Sequence, residues 1–148
     1  MKRRQLSKAQ LLPLPADYQR RMQLRHHLAL ASLRAARASP EQLALLLSTI
    51  QLAYLLRAPS QAGTAGEADQ ALFSRAERTL EQCYARLSEG APVLLHEHER
   101  GDLERIVTDY DARLVALPAH RYADAQAELH HHVFTGRSPI PAQRSQAA

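Results

Sequence analysis

Histidines are the residues in this chain best suited to hold a metal ion, and there are eight of them. His96-Glu97-His98-Glu99 precedes Asp102, and His130-His131-His132 sits near the end of the last helical pattern. Zinc needs three or four convergent ligands. Consecutive helical residues point about 100° apart, so the histidine triple does not converge on one ion while helical. Within it only His132 approaches the inward face, while His131 points to solvent. His98 and Asp102 are spaced for chelation on one helix face, but Gly101 lies between them and the chain lacks His-Glu-x-x-His spacing. No metal site is expected. Cys83 is the single cysteine, which excludes a disulfide framework, and no base is patterned around it. Neither a Gly-x-Ser-x-Gly elbow nor a Gly-rich loop ending in Lys-Ser or Lys-Thr is present. The carboxylates Glu97, Glu99, Asp102, Glu104, Asp109 and Asp111 read as helix surface, and Asp109 has Arg105 and Arg113 at i,i+4 spacing. The expectation is a protein that is not an enzyme, with no cofactor and no small-molecule substrate.

Charge offers the other chemistry. The formal net charge is +4, but residues 1–38 hold nine Lys and Arg against the single acid Asp17. Residues 39–148 hold ten Arg against fourteen acids. A basic first third on an acidic body points to nucleic acid or another anionic surface. The candidate DNA contacts are Lys2, Arg3, Arg4 and Lys8 on a basic arm, then Arg20, His27 and Arg34 with Arg37 on the first long helix. Arg20, His27 and Arg34 are seven apart and form one stripe along a helix. Docking of the arm on the chain's own acidic body is the rival use of that charge. A helix-turn-helix would strengthen the DNA case. The best window, Ala85 to Leu95, is a poor match, with Pro92 where the recognition helix should run.

The elements that carry these residues are helical. With 26 Ala, 24 Leu and few β-branched residues, the composition predicts an all-α fold, a compact bundle of about five helices. Residues 1–16 are expected as a basic extended arm, because Pro13 and Pro15 disfavour helix. A single helical domain is expected over 17–135. Asp17 is the expected cap of the first helix, whose apolar arc reads Tyr18, Met22, Leu24, Leu28, Ala29 and Leu33. Ser39-Pro40-Glu41-Gln42 carries a capping box with proline at the first helical position. The helix it starts is apolar on nearly every side, a pattern for enclosure or for an oligomer interface. Leu45, Leu46, Ile50, Leu52, Tyr54 and Leu56 are the candidate interface of a homodimer. Residues 58–66 read as a flexible linker and 136–148 as a disordered tail. A third helix follows the linker, with Cys83 on its apolar face and Gly90 as its terminal cap. Leu103 to Leu117 marks a fourth, which Pro118 breaks, and Arg121 to Phe134 a fifth.

The segments Leu11-Leu-Pro-Leu-Pro15, His26-His-Leu-Ala-Leu-Ala31 and Pro118-Ala-His-Arg-Tyr122 resemble short helical proteins of proteobacterial plasmids and integrative elements. Such proteins are often named as Fis-family transcriptional regulators. That resemblance implies an accessory or regulatory role in a mobile element. The Fis name implies a C-terminal helix-turn-helix, whereas Tyr122 to Phe134 is acidic and His-rich, so no DNA-contacting residue carries over.

The most apolar stretch, Leu43 to Leu56, falls short of the about 20 residues that cross a bilayer. The amino terminus has no apolar run of signal-peptide type. A cytoplasmic protein that does not enter membranes is therefore expected. Two functions remain open: an accessory or regulatory protein that touches DNA through its basic first third, or a protein–protein interaction module with no nucleic-acid role.

Overall fold

The computed structural model describes residues 5–57 and 64–141. Six helices form: α1 (Lys8–Leu11), α2 (Ala16–Arg34), α3 (Pro40–Leu56), α4 (Thr64–Ser88), α5 (Glu97–Leu114) and α6 (Ala119–Phe134). The architecture is the all-α bundle that composition predicts. No helix among the described residues is long and apolar enough to cross a membrane.

The α3 helix is the central element, packed against α2, α4, α5 and α6. Its start follows from sequence: the Ser39 side chain accepts from the Gln42 backbone, and the Gln42 side chain accepts from the Ser39 N–H at 3.0 Å. Satisfying these end groups from both sides fixes where the helix begins. Leu43, Leu46, Ile50, Leu52, Ala53 and Leu56 are all buried. Leu45 and Tyr54 are half-buried against the same core. The six residues expected to form a dimer interface are thus enclosed largely by the chain's own helices. The apolar excess of α3 has a simple physical outlet, since four neighbours surround it and little of it remains for a second copy.

Several boundaries depart from the sequence reading, α5 beginning at Glu97 rather than Leu103 and α6 at Ala119 rather than Arg121 among them. Residues 7–11 are not extended, because the Ser7 hydroxyl and Gln10 side chain close a capping box around the short α1. This segment is also fastened to α6. Ala119 N–H donates to Leu12 O at 2.8 Å, His120 Nδ1 lies 2.9 Å from Gln10 O, and Pro13 pairs with Pro118. The α4 helix begins at Thr64, so the end of the expected linker is helical; residues 58–63 lie outside the described residues. Beyond α6 the chain is not free either. Ile140 is 4% exposed, within the core, and the Ser138 hydroxyl donates to Glu77 on α4 at 2.5 Å. Residues 142–148 of the expected tail lie outside the described residues.

Three helices end alike. At each, a backbone N–H reaches back five residues, from Arg37 to Ser32 O (2.8 Å), Ala91 to Arg86 O (2.8 Å) and Arg137 to His132 O (2.9 Å). The closing residue needs positive φ, and Gly90 and Gly136 supply it at 70° each. At the end of α2 the same position is Ala36, with φ 56°.

Candidate interaction surface

The α2 helix carries most of the candidate DNA residues, and its orientation decides which of them face solvent. Its buried face is His26, Ala29 and Leu33. That is roughly a quarter turn from the expected apolar arc, on the usual helical spacing. Leu24 and Leu28 consequently point outward, at 60% and 54% exposure.

The rotation comes from a polar contact. His26 is 1% exposed, and its Nδ1 lies 3.2 Å from Asp111 Oδ1 on α5. Asp111 is itself buried and its other oxygen, Oδ2, lies 3.1 Å from His27 Nε2. The carboxylate thus lies between two consecutive histidines, hydrogen-bonded to His26 through Oδ1, while Oδ2 is close to His27 without a hydrogen bond, and the His26 contact ties α2 to α5. The His26 ring also packs beside Tyr110, with centroids 5.8 Å apart. A second pair on the same two helices extends the contact, since Arg34 pairs with Glu104 two turns away from Asp111 on α5.

These contacts divide the predicted basic stripe. His27 and Arg34 lie against acids of α5 with their side chains still more than half exposed. Arg20 stays outward, 4.0 Å from Asp17 of its own helix. Asp17 falls in the first turn of α2 rather than at its cap, where a carboxylate still suits the helix dipole. Lys8 and Arg37 are exposed, as are Arg21 and Arg25. Lys2, Arg3 and Arg4 lie outside the described residues. The outward face of α2 is therefore a ridge of Leu24 and Leu28, flanked by Arg20 on one side and by Arg21 and Arg25 on the other.

Among the described residues, no group of three or more His, Cys, Asp or Glu is placed to hold a metal ion. His96 and His98 stack with centroids 5.7 Å apart, and His131 meets His132 edge-on at 6.3 Å. Asp102 is held by Arg75 on α4 at 3.1 Å rather than by His98. Cys83 is buried, and desolvation pushes its thiol above the ordinary range, with the Glu99 charge adding to the effect.

Sequence reasoning missed His26 and read Asp111 as helix surface, whereas Asp111 is buried at 8% exposure because it meets His26 across α2 and α5. Their signal was weak: a histidine on a helix and an aspartate on another, with nothing local to pair them. No protein-family model, curated protein or solved structure matches the chain.

Proposed function

We propose that this chain is a small non-enzymatic accessory or regulatory protein that docks a protein partner on the outward face of α2. The observation that supports this reading is the Leu24–Leu28 ridge set between arginines. A phosphate backbone gives exposed leucines nothing to bury against. An amphipathic helix with an apolar stripe and acidic flanks accommodates both features, leucine to leucine and Arg20, Arg21 and Arg25 to carboxylates. Burying the exposed parts of two leucines contributes about 1–2 kcal/mol each. The rim charges add mainly orientation and association rate.

DNA contact is the second reading, favoured by the excess of eight positive charges in residues 1–38. Lys8, Arg20, Arg21, Arg25 and Arg37 are all exposed. The two readings part on one pair of variants. A synthetic helix with a leucine stripe and glutamate flanks, titrated against the full chain, should lose binding with Leu24→Gln/Leu28→Gln. Duplex binding should instead fall with Arg20→Gln/Arg25→Gln, and its log K should decline with log salt at a slope of about −0.9 per phosphate contact. Retention of peptide binding by the double leucine variant defeats the docking proposal. Tight, salt-sensitive duplex binding that ignores the leucines establishes the second reading in its place.

A further inference from the structure

One end of the bundle is built from two segments that are pinned together and hold no acid. Residues 1–16 and 112–123 contain no Asp or Glu, and they carry Lys2, Arg3, Arg4, Lys8, Arg113 and Arg121. The pins are the contacts of α1 with α6: Ala119 N–H on Leu12 O, His120 Nδ1 beside Gln10 O, and Pro13 paired with Pro118. Lys8, Arg113 and Arg121 are exposed, and Arg113 also reaches the Leu56 carbonyl at 3.5 Å. Lys2, Arg3 and Arg4 lie outside the described residues, but the chain limits their distance. Arg4 precedes Leu6 by two residues and Lys2 by four, so their Cα atoms stay within about 7 and 14 Å of it.

The same end exposes apolar side chains. Leu6, Leu11 and Leu12 are 37%, 56% and 52% exposed, and Val115, at the end of α5, is 59% exposed. The fold holds them outward. The Ser7–Gln10 capping box shapes α1, and Leu14 takes the inward place against the core.

This combination selects among anionic partners. Duplex phosphates offer leucine no apolar surface. A partner helix needs a continuous stripe or a groove, whereas Leu11 and Leu12 are consecutive and Val115 comes from a different segment. A bilayer surface needs no matched shape: separate apolar tips sink about 5–10 Å into the headgroup boundary while cations meet anionic headgroups. We propose that this end of the bundle adsorbs to an anionic lipid surface. Leu11, Leu12 and Val115 enter the boundary, and Lys8, Arg121 and the basic residues before Leu6 face the headgroups. Stable adsorption takes both signals together. The contact lies on the bilayer and calls for no crossing helix. It is separate from the Leu24–Leu28 ridge and does not depend on it.

Sedimentation of the full chain with vesicles tests this directly. Vesicles of phosphatidylglycerol and phosphatidylcholine in equal parts should bind at least tenfold more tightly than phosphatidylcholine alone, and added salt should weaken that binding. Each basic residue near the surface is worth roughly fivefold, so Lys8→Gln/Arg121→Gln should weaken binding by about 10- to 30-fold. Leu11→Ser/Leu12→Ser should weaken it by about tenfold or more. Both variants change exposed side chains and should melt like the unmodified chain. Leu24→Gln/Leu28→Gln should sediment unchanged. Absence of binding to the anionic vesicles, or equal binding to the neutral ones, overturns the proposal. So does unchanged binding by Leu11→Ser/Leu12→Ser, or loss of binding by Leu24→Gln/Leu28→Gln alone. Binding of duplex DNA or polyglutamate but not of the anionic vesicles assigns the charge to another partner and overturns it as well.

Discussion

His26 Nδ1 lies 3.2 Å from Asp111 Oδ1 across the α2–α5 contact, and both side chains are buried. This pair sets the rotation of α2, and with it the outward position of Leu24 and Leu28. Removing one partner leaves the other in the core with its hydrogen bonds unmet, and the loss exceeds the net value of the pair. His26→Leu and Asp111→Leu should each destabilise by about 2–3 kcal/mol. The double substitution should cost less than the sum of the two. Urea unfolding of the three variants provides the comparison, and strict additivity would show the pair to be uncoupled.

The left-handed Ala36 gives a prediction of opposite sign. Alanine at φ 56° crowds its Cβ against the following carbonyl, a strain of about 1–2 kcal/mol. Gly90 and Gly136 hold the equivalent places in α4 and α6 without it. Ala36→Gly should therefore stabilise the chain by about 0.5–1 kcal/mol, the relief of strain exceeding the added entropy of the unfolded glycine. Gly90→Ala should destabilise by a similar amount. A melting temperature that falls in Ala36→Gly would disprove the strain.

These two sites show which parts of the fold were legible in the sequence. The capped start of α3 was readable because Ser39, Pro40 and Gln42 act within four residues of one another. Enclosure of α3 was readable as one of two outcomes, since an all-round apolar helix needs cover, but the source of that cover is a tertiary fact. The face of α2 was not readable. Leucines ordinarily mark the inward side, and the partner that draws His26 inward is Asp111, far along the chain. Burial of Ile140 was hidden as well, because it follows the last helix in a segment with Ser138, Pro139 and Pro141, where no apolar periodicity marks an inward side. Of the candidate surface, Arg20 was placed correctly in solvent, while His27 and Arg34 were claimed by acids that local spacing does not reveal.

Tyrosine ionisation should make the fold sensitive to alkali. Burial is the main cause that raises Tyr110 and Tyr122 above the ordinary tyrosine value. Unfolded tyrosines release their protons near pH ~10. Below that value both states keep the proton and the full stabilisation remains. As pH rises through the window between the unfolded and the raised folded values, the unfolded chain ionises first and stability declines. Tyrosinate absorbance should show Tyr110 and Tyr122 ionising only with loss of helical signal. If Tyr110 and Tyr122 ionise while the helices persist, the buried hydroxyls are not shielded as described.

Cys83 should behave as a core residue rather than a reactive thiol. It is buried, and burial holds the thiol protonated, with Glu99 acting in the same direction and Arg86 opposing. Because the thiolate is the attacking species, a thiol-specific disulfide reagent should react slowly with the native chain. The rate should rise with denaturant in step with unfolding. Cys83→Ser places a hydroxyl among apolar neighbours and should destabilise the fold, whereas Cys83→Ala should cost less than the serine variant. Rapid labelling of the native chain would mean that α4 opens around Cys83 far more readily than its packing implies.

The leucine ridge separates a surface kept for binding from one kept for folding. Leu24 and Leu28 are more than half exposed, so their replacement by glutamine removes little buried apolar area. Stability should change by no more than about 0.5 kcal/mol, as for ordinary surface substitutions. Leu33→Gln, on the buried face of the same helix, should by contrast cost several kcal/mol, about 3 or more, through an unmet buried amide. Parallel thermal melts of Leu24→Gln/Leu28→Gln and Leu33→Gln test the rotation of α2 without reference to any partner. If the double outward variant is destabilised as much as Leu33→Gln, the leucines belong to the core and the docking ridge does not exist. If it melts like the unmodified chain, loss of peptide binding by the same variant is a loss of contact and not of structure.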